Sequence, residues 1–356
     1  MIKGTNRSWD PDSTGRGRRW STKERTVRLG LFTWPAVAVL GASIASAPCL
    51  LGECSRCAKV QANETLVGNA GTVKALAFRP DGELLSSVGV DGSMAIWDLG
   101  SRPRSPLLCE GIGQIRCVAF SQQSQLLARS SPRAAVALCE LVGDEARVLR
   151  ELSAASSGAA CVAFAPDGET LAVGQQDGKI TLWDTASGQE RSTLKGHTKF
   201  VVSIAFAPAG GLLASSSADR SMRIWDLATS KQRVITNSPH TCVVQAFFPD
   251  GCLLAQCDQV NPVVRLCDTA TGAERALLHG PSGAVQAVAV STDGKRLAAA
   301  DFHGTVTFWD AVTLKTQPKR LSHPGVRTLA FAPDGRALAT GGFDGTIHLW
   351  DVTVLN

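Results

Sequence analysis

Between Gly196 and Asp226 the sequence sets a His, a Ser and an Asp, namely His197, Ser217 and Asp219, in one stretch that closes on Trp225-Asp226. These three types are the parts of a nucleophilic triad, in which a carboxylate orients an imidazole that takes the serine proton. A second group has redox or metal character: Cys54-x-x-Cys57, with Cys49 just before it. A zinc site needs a second ligand pair at matching spacing, and haem attachment needs a His where Ala58 stands, so neither ligand set is present. The triad is weakened by its own recurrence. Asp91, Asp177 and Asp344 stand at the same distance before a Trp (Trp97, Trp183, Trp350), yet Gly89, Gln175 and Gly342 replace the Ser. A framework that repeats without its nucleophile is not read as catalytic.

The elements that carry these residues are repeats. Trp-Asp or a degenerate form recurs at Trp97-Asp98, Cys139-Glu140, Trp183-Asp184, Trp225-Asp226, Cys267-Asp268, Trp309-Asp310 and Trp350-Asp351, at nearly constant spacing. Ahead of each pair lies a turn between strand-like runs, such as Pro80-Asp81-Gly82, Pro166-Asp167-Gly168, Pro249-Asp250-Gly251 and Pro333-Asp334-Gly335. Pro presets φ and Gly supplies a positive φ, the chemistry of tight turns. Units of about 40–45 residues with four short strands are propeller blades. Over about residues 60–356 the chain resembles the WD-repeat family of β-propellers.

The expected fold is therefore all-β: a seven-bladed β-propeller of four-stranded blades. After Trp350-Asp351 only Val352 to Asn356 remain, too few for an outer strand, whereas Glu64-Thr65-Leu66-Val67-Gly68 parallels Ser192-Thr193-Leu194-Lys195-Gly196. A strand near 60–67 is expected to close the last blade, removing an exposed edge. The resemblance further implies a hydrogen-bonded chain inside each intact blade, which here matches throughout only at His197, Ser217, Asp219 and Trp225. A buried indole N–H only donates, while imidazole donates and accepts in series. The sixth repeat puts His303 at the Asp position, and the second and fifth, with Cys139 and Cys267 for Trp and Arg133 and Asn261 for Asp, are the weakest. They read as drift in blades held by their neighbours, with remodelling for a partner as the alternative.

In that family the side chains that meet partners stand at the start of the innermost strands. The matching positions are Lys74, Arg116, Ala160, Val202, Val243, Gln286 and Arg327, with Phe200 and Phe302 close by. Three cations on one rim would suit an acidic partner, and Arg and aromatic residues are favoured interface anchors.

Ahead of the repeats the chain changes character. Residues 1–28 are polar and basic, a composition that does not bury a core and reads as disordered. From Leu29 to Leu51 the chain carries no charge. That run exceeds the about 20 residues that a helix needs to span a membrane. This segment is expected to be a transmembrane anchor or an export signal, with Ala45-Ser46-Ala47 as a cleavage pattern and 52–59 as a linker. The adjacent Arg18-Arg19 lacks the apolar residues that follow a twin-arginine pair. Either reading places the propeller outside the cytoplasm, anchored or secreted. The alternative is a buried segment of a cytoplasmic protein, towards which eleven Cys scattered without a pairing pattern lean.

Charge and motifs narrow the function. The net charge of +5 belongs to the segment 1–59, where ten Lys/Arg face four Asp/Glu, and 60–356 balance at −1. Nucleic acid is a poor partner for such a surface. The chain has no phosphate loop, nucleophile elbow, His-Glu-x-x-His or calcium loop, so no cofactor, metal or catalytic residue is assigned. The expected function is a non-enzymatic scaffold that binds a protein or peptide on one face of the ring. The alternative is a propeller enzyme or small-ligand binder working in the central channel.

Overall fold

A computed structural model describes residues 59–60, 62–101, 106–109, 115–123, 125–130, 136–142, 145–152, 158–237, 242–258 and 260–355. The segment read as an apolar helix, 29–51, lies outside them, as do the tail 1–28 and Cys49, Cys54 and Cys57. Among the described residues no helix is long and apolar enough to cross a membrane, and the one helical element is the 3-10 turn Thr353–Leu355.

The strands form seven sheets, one per repeat. The fourth blade shows the pattern: Val201–Phe206 pairs antiparallel with Leu212–Ser217, that strand with Ser221–Asp226, and that one with Gln232–Asn237. The first strands of successive blades (Val73–Phe78, Val118–Phe120, Ala159–Phe164, Val201–Phe206, Cys242–Phe247, Val285–Val290 and Val326–Phe331) each touch the next. The seventh touches the first, so the ring is closed. These seven are the innermost strands.

The turns follow from their residues. Gly82, Gly168, Gly251, Gly294 and Gly335 take φ of 67–78°. In each, the preceding Asp accepts the amide two residues on, from 2.8 to 3.0 Å, as Glu83 N does to Asp81 Oδ1. The Asp of Trp-Asp does the same for the next turn: Asp184, Asp226, Asp268 and Asp310 each accept the amide three residues later at 2.6–2.8 Å. A short carboxylate offering its backbone a local partner is why Asp recurs at these two points.

The core lies between blades. Second strands such as Thr170–Gln175 and Arg296–Asp301 are buried along their whole length. They carry small residues on their packed faces: Ala172, Ala214, Ala298 and Ala339 have no exposed surface. Small side chains there leave room for Trp97, Trp225, Trp309 and Trp350, all at most 2% exposed.

Glu64–Val67 is the outer strand of the seventh blade, antiparallel to Thr346–Asp351, with Glu64 opposite Leu349 and Val67 opposite Thr346. Its Leu66 is buried with Trp97, Leu85, Ile347 and Leu349, so this strand also seals the seam to the first blade. One pairing has no counterpart in the sequence reading. Lys59–Val60, at the edge of the stretch read as a linker, runs parallel to Arg320–Ser322 as a fifth strand of the sixth blade.

Candidate functional site

The His, Ser and Asp of the fourth blade face into the blade. His197 Nε2 lies 2.7 Å from Ser215 Oγ, which also accepts the Trp225 indole N–H at 2.8 Å. On its other side His197 Nδ1 is 3.0 Å from Asp219 Oδ2, and that carboxylate accepts the Thr198 and Ser221 amides. The hydroxyl in the chain belongs to Ser215 and not to the expected Ser217. Ser217 instead donates to the Lys199 carbonyl at 2.9 Å, at the end of its strand and out of line with the indole. Burial holds the His197 imidazole below its usual pKa against the pull of Asp219. Burial raises the Asp219 carboxyl, but the Thr198 amide and the Ser221 hydroxyl and amide outweigh it and take the pKa down to about 2. A neutral imidazole locked between two partners, with its serine hydroxyl already engaged, braces a blade and is not poised to attack a substrate.

Two further blades carry a complete chain, where the sequence reading admitted one. In the first, Trp97 N–H donates to Ser87 Oγ at 3.1 Å, Ser87 donates to Asn69 Oδ1 at 2.7 Å, and Asn69 passes through Ser93 to Asp91. The Asn69 amide, donor and acceptor like imidazole, takes the place of His. In the seventh, Trp350, Thr340, His323, Thr346 and Asp344 follow one another at 2.8, 2.7, 3.3 and 2.8 Å. In all three chains the hydroxyl stands ten residues before the Trp. In the third blade that position is Val173, and the buried Trp183 N–H has no acceptor. In the sixth it is Ala299, and Trp309 reaches only the His279 carbonyl at 3.4 Å. There Asp301, and not His303, clamps the blade, accepting the Ser282 amide and hydroxyl and the amides of His303 and Thr305.

The residues at the starts of the innermost strands share a backbone device. In six blades the ladder between the first two strands slips at one residue: Lys74, Ala160, Val202, Val243, Gln286 and Arg327. A bulge leaves a residue out of the ladder and can re-aim its side chain. Arg116 stands just ahead of the innermost strand of the second blade, its amide on the Ser130 carbonyl. The turn joining second and third strands reaches the same end of the blade: the amides of Val90, Phe302 and Phe343 bond the carbonyls of Thr72, Ala284 and Gly325, just before the innermost strands. Val90, Phe302 and Phe343 are 43%, 55% and 43% exposed there.

The structure brings part of the expected face together. Burial lowers the Lys74 pKa, and the charges of Arg116 and Arg327 lower it further, so Lys74 lies within electrostatic reach of both guanidinium groups. Burial alone lowers Arg116 and Arg327. Arg327 Nη1 donates to Gln286 Oε1, and its guanidinium lies 4.8 Å from the centroid of the Phe343 ring. Phe302 meets Phe343 edge to face at 6.5 Å. Gln286 is thus a buried prop for Arg327, 5% exposed, and not an exposed contact. Phe200 and Val202 are on the fourth blade, half-buried. Phe343 escaped the sequence reading although its signal was there: Phe343-Asp344-Gly345 stands at the same place in its repeat as Phe302-His303-Gly304.

Among the described residues no three His, Cys, Asp or Glu are grouped to hold a metal, and Cys117, Cys139, Cys161, Cys252, Cys257 and Cys267 are free thiols. The chain is similar to WD repeat, SAM and U-box domain-containing protein 1 of Danio rerio, with 33% identity over 132 residues, 36% of this chain and 26% of that protein. It is also similar to small ribosomal subunit protein RACK1 of Candida albicans (strain SC5314 / ATCC MYA-2876), with 27% identity over 129 residues, 34% of this chain and 39% of that protein. The chain thus spans well under half the length of either relative. The WD domain, G-beta repeat family matches at 61–98, 146–184, 188–226, 272–310 and 315–351, together more than half of the chain. With its seven blades, six of four strands and one of five, its repeated Trp-Asp pairs and these five matches, the chain belongs to the WD40 repeat family.

Proposed function

We propose that this WD-repeat propeller is a non-enzymatic platform that binds a protein or peptide partner, acidic in character, on the face that carries Lys74, Arg116 and Arg327. WD-repeat propellers are typical protein-interaction scaffolds. The observation that carries the reading for this chain is the cationic run itself. Among the described residues none of the three makes an ion pair. Like charges held close without a counter-charge cost stability, and an acidic partner relieves that cost on binding. The interior offers nothing comparable, since the His197 and His323 chains are used up inside their blades. The test is affinity capture with the intact protein and with a Lys74→Glu, Arg116→Glu, Arg327→Glu variant. Loss of the captured partner from a variant that melts normally is expected, and undiminished capture overturns the reading.

The uncharged run Leu29–Leu51 motivates a companion proposal, that the propeller is anchored or secreted outside the cytoplasm. Protease digestion of the propeller in intact cells is expected, and digestion only after lysis contradicts it.

A further inference from the structure

Resting on that reading, we infer that the occupant of the face is an extended peptide with an apolar side chain at one end followed by a run of carboxylates. The order of groups around the ring sets this motif. Gln286, Arg327, Lys74 and Arg116 come from the sixth, seventh, first and second blades, which are consecutive. Lys74 feels both guanidinium groups, while Arg116 and Arg327 flank it from either side. The cations therefore follow one another as an arc over three consecutive blades, with Lys74 in the middle. A single phosphate gathers its charge at one point, whereas acidic side chains spaced along an extended chain, about 3.3 Å per residue, offer a separate partner to each blade's cation.

One end of the arc is apolar. Phe343 and Phe302, both exposed, pack edge to face beyond Arg327, whose guanidinium rests on the Phe343 ring. Two neighbouring exposed aromatics make a shelf for one apolar side chain, and such residues are preferred anchors at interfaces. Arg327 is held in place by Gln286 and Phe343, so little of its rotamer freedom is lost on binding. The Thr72 hydroxyl donates to the Phe343 carbonyl at 3.2 Å, tying the shelf in the seventh blade to the strand start that bears Lys74 in the first. Shelf and arc are one surface.

The test is fluorescence anisotropy with the full chain and four labelled synthetic peptides: Leu-Trp ahead of four Glu, four Glu ahead of a polar end, Leu-Trp ahead of four Gln, and Leu-Trp ahead of one phosphoserine and three Gln. The first is expected to bind best, with each half alone weaker by about tenfold or more. Phe302→Ser, at the exposed half of the shelf that does not carry Arg327 and checked by thermal melting, is expected to weaken the first peptide about tenfold and leave the four-Glu peptide unchanged. Lys74→Glu with Arg116→Glu is expected to abolish the benefit of the Glu run. Equal binding of the phosphoserine peptide overturns the arc, and equal binding of the polar-ended peptide overturns the shelf. Failure of all four peptides, alongside a protein partner still lost on reversing the three charges, overturns the motif and leaves the platform standing. Failure of both removes the platform too.

Discussion

The imidazoles of His323 and His348 stack at 4.0 Å between ring centroids, 12° from parallel, inside the seventh blade. His323 completes the chain from Trp350 to Asp344, and His348 lies on the third strand, opposite Thr65 of the closing strand. Burial, and then the charge of its His348 neighbour, take the His323 pKa down to about 4, with Asp344 opposing weakly; burial also lowers His348.

Acid is therefore expected to loosen the blade that closes the ring. Below the usual imidazole pKa of about 6.5 the unfolded chain takes up a proton that folded His323 refuses until about pH 4. Stability from the neutral pair is complete above pH 6.5, falls as pH drops, and is gone once pH has passed about 4, a loss on the order of 3 kcal/mol. Thermal melts between pH 7.5 and 4 check this, with His348→Leu flattening the decline. A melting temperature constant across the window contradicts it. Burial also lowers His197 in the fourth blade, so the comparison with His348→Leu, and not the decline alone, assigns the effect to the seventh blade; the Asp219 contribution is lost mainly below about pH 4, between the usual carboxyl pKa and about 2.

Ser215 and Ser217 separate a strut from a bystander. Ser215→Ala leaves both the Trp225 N–H and His197 Nε2 without their partner in a fully buried place, an expected loss of about 1–3 kcal/mol. Ser217→Ala removes one bond to the Lys199 carbonyl and one from the Asp219 amide, neither of them to the indole or the imidazole, and is expected to cost about 1 kcal/mol. Urea melts of the two variants give the order, and a larger loss at Ser217 would reverse the assignment.

The third blade invites repair. Val173 holds the place before Trp183 that Ser87, Ser215 and Thr340 hold before the other indoles, and Trp183 N–H is buried without an acceptor. Val173→Thr keeps the branched shape and adds the missing hydroxyl. The expected gain is about 0.5–1 kcal/mol, the usual net contribution of a hydrogen bond, read as a higher urea midpoint. A loss of stability would mean that the hydroxyl finds no indole.

Deleting residues 60–67 is expected to lower the melting temperature of the whole ring, because it strips the outer strand from Thr346–Asp351 and bares a sheet edge. Leu66→Ala is the milder version, at about 2–5 kcal/mol for a buried leucine in the seam between the seventh and first blades. An unchanged melt in both would separate this strand from closure.

Much of the fold was legible because turn chemistry is local. Asp81-Gly82 and Trp97-Asp98 name their own conformations through a carboxylate close in sequence to an amide, and they repeat. The strand Glu64–Val67 was found by likeness to Ser192–Leu194 in the third blade. Lys59–Val60 was not, since so short a piece carries no alternation and its parallel partner, Arg320–Leu321, lies near the other end of the chain. The polar chain was misassigned at Ser217 because Ser215 lies on the same face of the same strand; the fixed spacing to Trp, shared with Ser87 and Thr340, distinguishes them. Asn69 hid a second chain by serving as His does with a different side chain. The bulges were invisible altogether. Lys74, Ala160, Val202, Gln286 and Arg327 share no residue type, because the slip is a property of the backbone at the start of an innermost strand.

The pairing of Glu64–Val67 with Thr346–Asp351 also has a mechanical side. Glu64, where the short strand begins, lies opposite Leu349, near the end of the long one, and just beyond them the Asp351 amide reaches back 288 residues to Asn63 Oδ1 at 3.1 Å. Tension carried inward along the chain from both sides would meet at that corner and part the rungs one after another, as a zipper does, because antiparallel bonds run perpendicular to their strands and, pulled along their own direction, take the load one at a time. A ring closed by such a strand can thus yield to a small force at one seam. A pull through the two flanking segments is expected to free Lys59–Val60 from the sixth blade and then to open the ring between the seventh blade and its borrowed strand.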